Sequence, residues 1–178
     1  MPRKEWLGEN IMSSTPLKFA GTWYHSVCDI KLIDKILQDG WNPELASNTI
    51  YGTAVYLART NWWKENAAEK IIACELVVSE TETMDEFGPL NGCGSATGYN
   101  TTKHLLAFFS RNGIPAFKTP QSGKSEANIK RRDFFLARGI RAICFEEYAR
   151  VDVIAVYDTK IIINKRAVPR DKVPFCPI

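Results

Sequence analysis

Three side chains that could form a ligand site follow one another in fixed order between residues 21 and 58. His25 ends a short apolar run and has aromatic residues before it, and Tyr51 and Tyr56 belong to a second apolar run. An imidazole can donate and accept hydrogen bonds, and a tyrosine ring offers a flat face for stacking. Taken singly, each would be interpreted as an ordinary buried residue. Their order and spacing favour a common site.

One amphipathic helix separates the two runs. Asp29 can cap its start, because a carboxylate accepts the unpaired backbone N–H groups there, and Gly40 can end it in a left-handed turn. Between them Ile30, Ile33 and Leu37 fall on one stripe. The sequence therefore predicts a helix with one broad buried face.

The second run, residues 50–57, is strand-like, and Gly52 within it lets another group approach the backbone closely. The stretches WYHS, IDKILQDGWNP and YGTAVYLA now stand in an order that resembles poly(ADP-ribose) polymerase-like ADP-ribosyltransferases of the His-Tyr-Glu type. In that family a histidine at a strand end precedes a helix of the form xxIxxILxxGf, and a strand YGxGvYfA follows. The likeness covers roughly a fifth to a quarter of the chain. Ser26 and Ala54 replace family glycines, both small for small.

The resemblance implies an α+β fold with two packed, bent β-sheets, flanking helices and an NAD+ cleft between the sheets. It implies that His25 hydrogen-bonds the adenosine-side ribose and that the backbone of Ser26 holds the nicotinamide carboxamide. Tyr56 would stack on the pyridinium ring, with Tyr51 as a further contact. Trp63, or the tryptophan before it, would form the second wall of the nicotinamide slot; packing of both onto the sheet is an equal alternative.

The third signature residue of the family is a glutamate at the head of the last strand of the motif. Superposing the Val-Tyr-Asp strand ends without a gap places Val153 there, and the nearest acid is Asp152. A β-bulge would bring Asp152 into the cleft, whereas without one it would point away. Asp152 is therefore the expected third catalytic residue, with His25 and Tyr56. Other candidates, at the preceding turn, are Glu146 and Glu147.

The activity that the resemblance implies is mono-ADP-ribosyl transfer: NAD+ binds as co-substrate, nicotinamide is released, and one ADP-ribose unit passes to a protein or nucleic-acid acceptor. Cleavage builds positive charge on the ribose, which a nearby carboxylate would stabilise. In the family, chain extension is associated with the glutamate, so its absence argues for transfer of single units. Two alternatives remain open: an inactive relative that binds an ADP-ribose-like ligand or a partner, and a basic nucleic-acid-binding domain.

The nucleic-acid alternative depends on residues 118–132, where positive charge concentrates. Such a run could meet phosphates through charge and guanidinium contacts. A solvated loop leading into a helix is the other interpretation, and aromatic residues for base stacking are not interleaved within the loop. The cations concerned are Lys118, Lys124, Lys130, Arg131 and Arg132.

Composition sets the wider frame. The 178 residues, 45% of them hydrophobic, predict a lead-in segment over 1–18 and a single catalytic domain over 19–178. The net charge of +3 is mild, and five widely spaced cysteines without a CxxC pair predict reduced thiols and no metal site. Neither a signal peptide nor a membrane span is seen. A cytoplasmic or nuclear protein is expected, or a delivered effector or toxin.

Hydrophobic periodicity predicts the remaining elements. They are a helix over 61–70, a strand over 71–78, a long loop over 79–100, a helix over 101–112 carrying a structural or solvent-facing His104, a short helix ending near Gly139, a strand over 140–145, and a further strand ending in Val-Tyr-Asp that 161–164 extend.

Overall fold

The computed structural model describes residues 15, 19–27, 29–46, 49, 51–60, 69–87, 107, 109–114, 122–147 and 151–174. At 84–87, 145–147 and 151–152 only the main chain is described. Within these ranges no helix has the length and apolar character needed to cross a membrane. The predicted lead-in over 1–18 lies outside them except for Thr15, as do most of the predicted helices over 61–70 and 101–112.

A seven-stranded sheet is the centre of the described structure. Its order is β4-β5-β6-β2-β1-β3-β7, and neighbouring strands are antiparallel except for the parallel pair β4 and β5. The predicted α+β class is confirmed, although strands expected in two sheets are hydrogen-bonded into one. The elements are β1 (Trp23–His25), α1 (Ile30–Asp39), β2 (Val55–Ala58), β3 (Lys70–Leu76), β4 (Thr83–Phe87), α2 (Glu126–Leu136), β5 (Ala142–Glu147), β6 (Val151–Val156) and β7 (Ile162–Pro169).

The junction between β1 and β2, which we call the central seam, is the most weakly paired place in the sheet. Its backbone register consists of one residue pair, Tyr24 with Ala58. By contrast, β1 pairs with β3 at three positions, and β2 pairs with β6 at four. The seam therefore divides the sheet into two well-paired halves.

Two apolar clusters lie on opposite faces of the sheet, because side chains alternate along a strand. On one face, Val55 and Leu57 of β2 belong to a cluster that crosses the central seam and includes Trp23. On the other face, Tyr56 packs against a cluster beneath α2, which we call the α2 cluster. It consists of Tyr51, Ala54, Phe109, Ile114, Phe135, Ile143, Val153, Ala155 and Tyr157.

Helix α1 begins and ends where predicted, although Gly40, with a ψ of −177°, is not in the left-handed helical conformation that was expected. The Asp29 carboxylate accepts a backbone N–H of the first turn at 2.9 Å. Gly40 ends the helix with a φ of +90°, and its N–H donates to the carbonyl of Ile36 at 3.0 Å. The buried face is narrower than predicted: Ile33 is fully buried, whereas Ile30 is 43% exposed. Among the described elements α1 packs mainly on β3 and β7, which cover one narrow stripe.

Helix α2 corresponds to the short helix predicted before Gly139. It begins at Ser125, whose hydroxyl accepts the N–H of Asn128 at 3.3 Å. Its buried residues are Asn128, Arg131 and Phe135, so two of the three are polar. Buried polar groups cost free energy unless they are satisfied by partners. The contacts of this helix are therefore informative about the site.

Two strand predictions were wrong. Strand β4 lies within residues 79–100, which were predicted as one loop; the segment is rich in acidic residues, which are depleted in strands, and it forms an edge of the sheet. Residues 161–164 do not extend the preceding strand. Instead Asp158 caps a short turn by accepting the N–H of Lys160 at 3.0 Å, and β7 then runs along the opposite edge beside β3.

A cluster of charged residues connects the start of β4 with the ends of β5 and β6. From it we predict that the stability of the fold decreases at acidic pH. Arg141 contacts Glu82 at 3.1 Å and Asp158 at 2.8 Å. Hydrogen bonds from Ser79, and then from Arg141, hold the pKa of Glu82 below its usual range. The carboxylate form thus favours folding at neutral pH, and this contribution is lost as the pH falls through the depressed pKa.

We expect Glu82→Gln to lower the midpoint of thermal unfolding at pH 7 by about 2–4 °C, as for one modest ion pair in a chain of this size. The difference from the wild type should shrink steadily below the usual pKa of a glutamate. Thermal unfolding monitored by circular dichroism between pH 7 and pH 3 measures both trends. A constant difference across this range would contradict the assignment.

Candidate functional site

The side chain of His25 makes a hydrogen bond across the central seam. Its Nδ1 lies 2.8 Å from the carbonyl oxygen of Tyr56. Because a carbonyl can only accept, Nδ1 carries the proton and Nε2 is left as an acceptor. Burial lowers the pKa of His25, with the hydrogen bond to Tyr56 acting weakly in the opposite direction, so the imidazole is neutral at pH 7. The ring can therefore accept a hydrogen bond from a hydroxyl group.

Trp41 fixes the orientation of this imidazole from the other side. The two rings meet edge to face, with centroids 5.1 Å apart and planes at 89°. Trp41 directly follows Gly40, the residue that ends α1, so the end of the helix determines where the indole lies. The sequence did not mark Trp41 as a site residue. An aromatic residue directly after a helix-ending glycine was the available signal, because such positions commonly make an apolar contact.

Tyr56 follows the seam on the α2 side, and its hydroxyl is held in place. The phenol donates to the carbonyl of Gly52 at 2.8 Å and also contacts the Thr49 hydroxyl. Thr49 in turn donates to the same carbonyl at 2.9 Å. Tyr51 is buried and lies 6.1 Å from Tyr56, centroid to centroid, at a tilt of 46°. The ring of Tyr56 is thus fixed at its far end and supported by Tyr51.

Hydrogen bonds connect the segment before β2 with the start of α2. The buried Asn128 side chain donates to the carbonyl of Thr49 at 3.2 Å, while its own backbone carbonyl accepts the N–H of Thr53 at 3.1 Å. The Thr53 hydroxyl donates to the carbonyl of Gly123 at 2.5 Å. Gly123 itself donates to Ala46 at 2.7 Å. The position of Tyr56 therefore depends on the segment that leads into α2.

Arg131 places a cation inside the α2 cluster. It is fully buried, and its guanidinium carbon lies 4.7 Å from the centroid of the Phe109 ring. Burial lowers its pKa to about 10, opposed by the hydroxyls of Tyr56 and Tyr157, so the group stays charged at pH 7. Gly52 makes this approach possible, since a Cβ there would lie 3.2 Å from the Arg131 Cβ and 3.0 Å from the Tyr157 ring.

Val153 is the residue that the superposition without a gap puts at the third signature position, with Asp152 directly before it. The register of β6 runs without a shift against both neighbours, and it places Val153 opposite Ala58 of β2 and opposite Phe145 of β5. Val153 is 4% exposed and belongs to the α2 cluster, the cluster against which Tyr56 packs. The bulge on which the assignment of Asp152 depended is not present in the described main chain of β6. Asp152 pairs with Glu146 in the ladder, and its catalytic role stays a prediction.

Three further residues were predicted to contact the cofactor: Ser26, Tyr51 and Trp63. Ser26 is half-buried and directly follows β1, beside His25. Tyr51 lies in the core, and its carbonyl accepts the hydroxyl of Tyr157 at 2.7 Å. Trp63 falls outside the described residues. At the seam the His25 ring contacts the backbone carbonyl of Tyr56, and Ser26 directly follows His25. The Tyr56 ring lies with Tyr51 on the α2 side of the sheet, whereas the His25 ring lies with Trp41 on the side of Trp23.

The cations of the basic run over 118–132 lie in different environments. Arg131 is buried, Lys130 pairs with Glu126 at 2.5 Å, and Arg132 pairs with Asp133 at 2.9 Å. Lys124 is exposed, and Lys118 is outside the described residues. Lys130 stays more than half exposed despite its ion pair, and exposed pairs of this kind are weak. The nucleic-acid alternative therefore stays a prediction.

Comparison with models of protein families, with curated proteins and with solved structures gives no match to this chain.

Proposed function

We propose that this chain binds NAD+ at the central seam and acts as a mono-ADP-ribosyltransferase, releasing nicotinamide and transferring one ADP-ribose unit to a protein or nucleic-acid acceptor. The observation that carries the proposal is the state of His25: a neutral imidazole with Nδ1 committed to the Tyr56 carbonyl and Nε2 left as an acceptor. A ribose hydroxyl is a suitable donor to Nε2.

The geometry around Tyr56 supports the same proposal. A ring that stacks on a flat ligand must be held at a fixed angle. The Tyr56 ring is held by the hydrogen bond of its hydroxyl to the Gly52 carbonyl and by its contact with the Tyr51 ring. An aromatic face of this kind attracts a pyridinium cation. The nicotinamide ring would leave as a neutral molecule, so the attraction weakens once the bond to ribose is broken.

Val153 supports transfer of single units rather than chain extension. Extension is the property that the resemblance associates with a glutamate at this position, and here the side chain is apolar and buried. The acceptor nucleophile would attack ribose C1′, the bonding electron pair would leave with the nicotinamide nitrogen, and the acceptor would lose its proton. His25 and Tyr56 hold the substrate for this step.

The test is release of free nicotinamide from NAD+, measured by mass spectrometry. We expect release by the wild type, and a loss of about 10²-fold in Tyr56→Ala because the reacting ring is no longer positioned. Asp152→Ala tests which residue occupies the third position. If the variant keeps its activity, the position belongs to Val153; if the activity is lost, Asp152 acts in the site. Binding of NAD+ without any release by the wild type would refute the transferase.

One observation favours a second candidate, a module that binds NAD+ or ADP-ribose without turnover. Val153, which the superposition without a gap puts at the third position, has no group able to stabilise positive charge on the ribose. This candidate predicts a calorimetric binding signal for NAD+ and for ADP-ribose, with no free nicotinamide. The two measurements together separate the candidates.

A further inference from the structure

Trp41 carries a hydrogen-bond donor that the fold leaves unused. Its indole Nε1 is shielded from solvent and meets no acceptor within hydrogen-bonding distance in the part of the chain that the structure describes. The same ring packs edge to face against the imidazole of His25, with centroids 5.1 Å apart. An unpaired donor therefore lies beside the acceptor that the proposed function assigns to a ribose hydroxyl.

The unpaired N–H of Trp41 is unfavourable in the ligand-free protein, because buried tryptophans usually find a partner for this donor. Trp23 shows the usual arrangement, since its Nε1 donates to the carbonyl of Phe19 at 2.9 Å. Phenylalanine at position 41 would keep an aromatic contact with His25 and would bury no donor. The N–H of Trp41 therefore needs an explanation other than packing.

Packing holds the indole in one place. Trp41 contacts the apolar cluster that contains Trp23, and it also contacts a second cluster formed by Val27, Ile33 and Ile72. The residue as a whole stays half-buried, so the ring lies at the margin of the core. A donor that is fixed before a ligand arrives loses little conformational freedom on binding.

The two ring nitrogens lie within the span of one sugar. Since ring atoms lie close to their centroids, the 5.1 Å between the centroids places Nε1 of Trp41 no more than about 9 Å from Nε2 of His25. Two hydrogen bonds of about 2.9 Å, joined by neighbouring hydroxyl oxygens about 2.8 Å apart, cover roughly the same distance. A hydroxyl can donate and accept, so one hydroxyl of a ribose can bind Nε2 while its neighbour binds the N–H.

We propose that Trp41 donates its indole N–H to one hydroxyl of the adenosine-side ribose, while Nε2 of His25 accepts from the neighbouring hydroxyl. The inference rests on the proposed function, and it names the group that this end of the site selects: a ribose with two free neighbouring hydroxyls. A sugar that lacks either hydroxyl loses one of the two bonds. The pairing would also satisfy the donor that the ligand-free fold leaves unpaired.

The decisive experiment uses ADP-ribose, which has no bond to nicotinamide, and its two analogues without the 2′ or the 3′ hydroxyl of the adenosine ribose. Calorimetric titration gives the dissociation constant of each ligand for the wild type and for Trp41→Phe. We expect Trp41→Phe to weaken ADP-ribose binding about five- to tenfold. The analogue that lacks the partner hydroxyl should bind both proteins alike, whereas the other analogue should show the same loss as ADP-ribose.

Trp23→Phe is the matched control, because it removes an indole N–H that already has a carbonyl partner. It should lower the midpoint of thermal unfolding and change the affinity for the three ligands by one common factor. His25→Asn, which has nothing in the place of Nε2, should instead lose the part of the affinity that depends on the neighbouring hydroxyl.

Three results would overturn the inference and leave the proposed function standing. They are an equal loss for all three ligands in Trp41→Phe, which would assign Trp41 to packing alone, no loss for any of them, and binding of NAD+ but not of ADP-ribose by the wild type. Trp41→Leu takes the place of Trp41→Phe if that variant does not fold. A wild type that binds neither NAD+ nor ADP-ribose refutes the proposed function, and the inference falls with it.

Discussion

Nicotinamide release should fall by about 10²-fold in both His25→Ala and His25→Asn, although the two substitutions differ in what they remove. The amide nitrogen of asparagine can take the place of Nδ1 and donate to the Tyr56 carbonyl, so His25→Asn keeps the bond that closes the central seam. It has nothing in the place of Nε2. Equal loss in both variants would assign the function to Nε2.

The stability of the two variants provides the control. His25→Ala leaves the Tyr56 carbonyl without the imidazole, which costs about 1–3 kcal/mol for a buried acceptor. His25→Asn should stay close to the wild type in thermal unfolding. If His25→Asn instead retained most of the activity while His25→Ala lost it, the histidine would be a structural clamp, and its role as a ligand acceptor would be refuted.

Gly123→Ala is expected to cause the largest loss of stability of any single methyl addition at a described glycine, about 3 kcal/mol or more. A Cβ at this position would lie 2.5 Å from the backbone carbonyl oxygen of Pro43, which cannot rotate away. Relief would require moving the segment that accepts the Thr53 hydroxyl. For a chain of this length the midpoint of thermal unfolding should fall by roughly 6–12 °C.

Gly113→Ala is the matched control. Gly113 has a φ of +70°, so alanine is strained there, but a Cβ would meet nothing within 4 Å. Its cost should be about 1–2 kcal/mol, the ordinary cost of a left-handed residue. Backbone angle alone would rank Gly113 above Gly123. Thermal unfolding of the two variants therefore tests whether the contact at Pro43 is real, and a smaller effect at Gly123 would contradict it.

Local signals in the sequence predicted the elements around the site. The two ends of α1 could be predicted because Asp29 and Gly40 each contact backbone groups within about one turn of their own position. Strand β6 could be predicted from the apolar residues that follow Asp152 within it. In these cases the physical cause lies within a few residues of the effect, which is why the prediction was confirmed.

Other parts of the site depend on contacts between distant segments. Asn128 and Thr49 meet across 79 positions of the chain, and nothing near either residue in the sequence marks them as partners. Arg131 was read as part of a charged run because its neighbours Lys130 and Arg132 are charged. Only the packing of α2 shows that it is buried, since the three consecutive side chains point in different directions around the helix.

The central seam also has a consequence for how the molecule opens. Across the seam the described backbone pairs at one position, and side-chain contacts from His25 and Arg59 and the Trp23 cluster supply the rest, so the halves can part there without disturbing the ladders on either side. Amide hydrogen exchange should be fastest along that line among the strands, because a local opening breaks few bonds. If the proposed function holds, a ligand that contacts both His25 and Tyr56 would add a connection between the two halves, and amide exchange along the seam should slow when it binds.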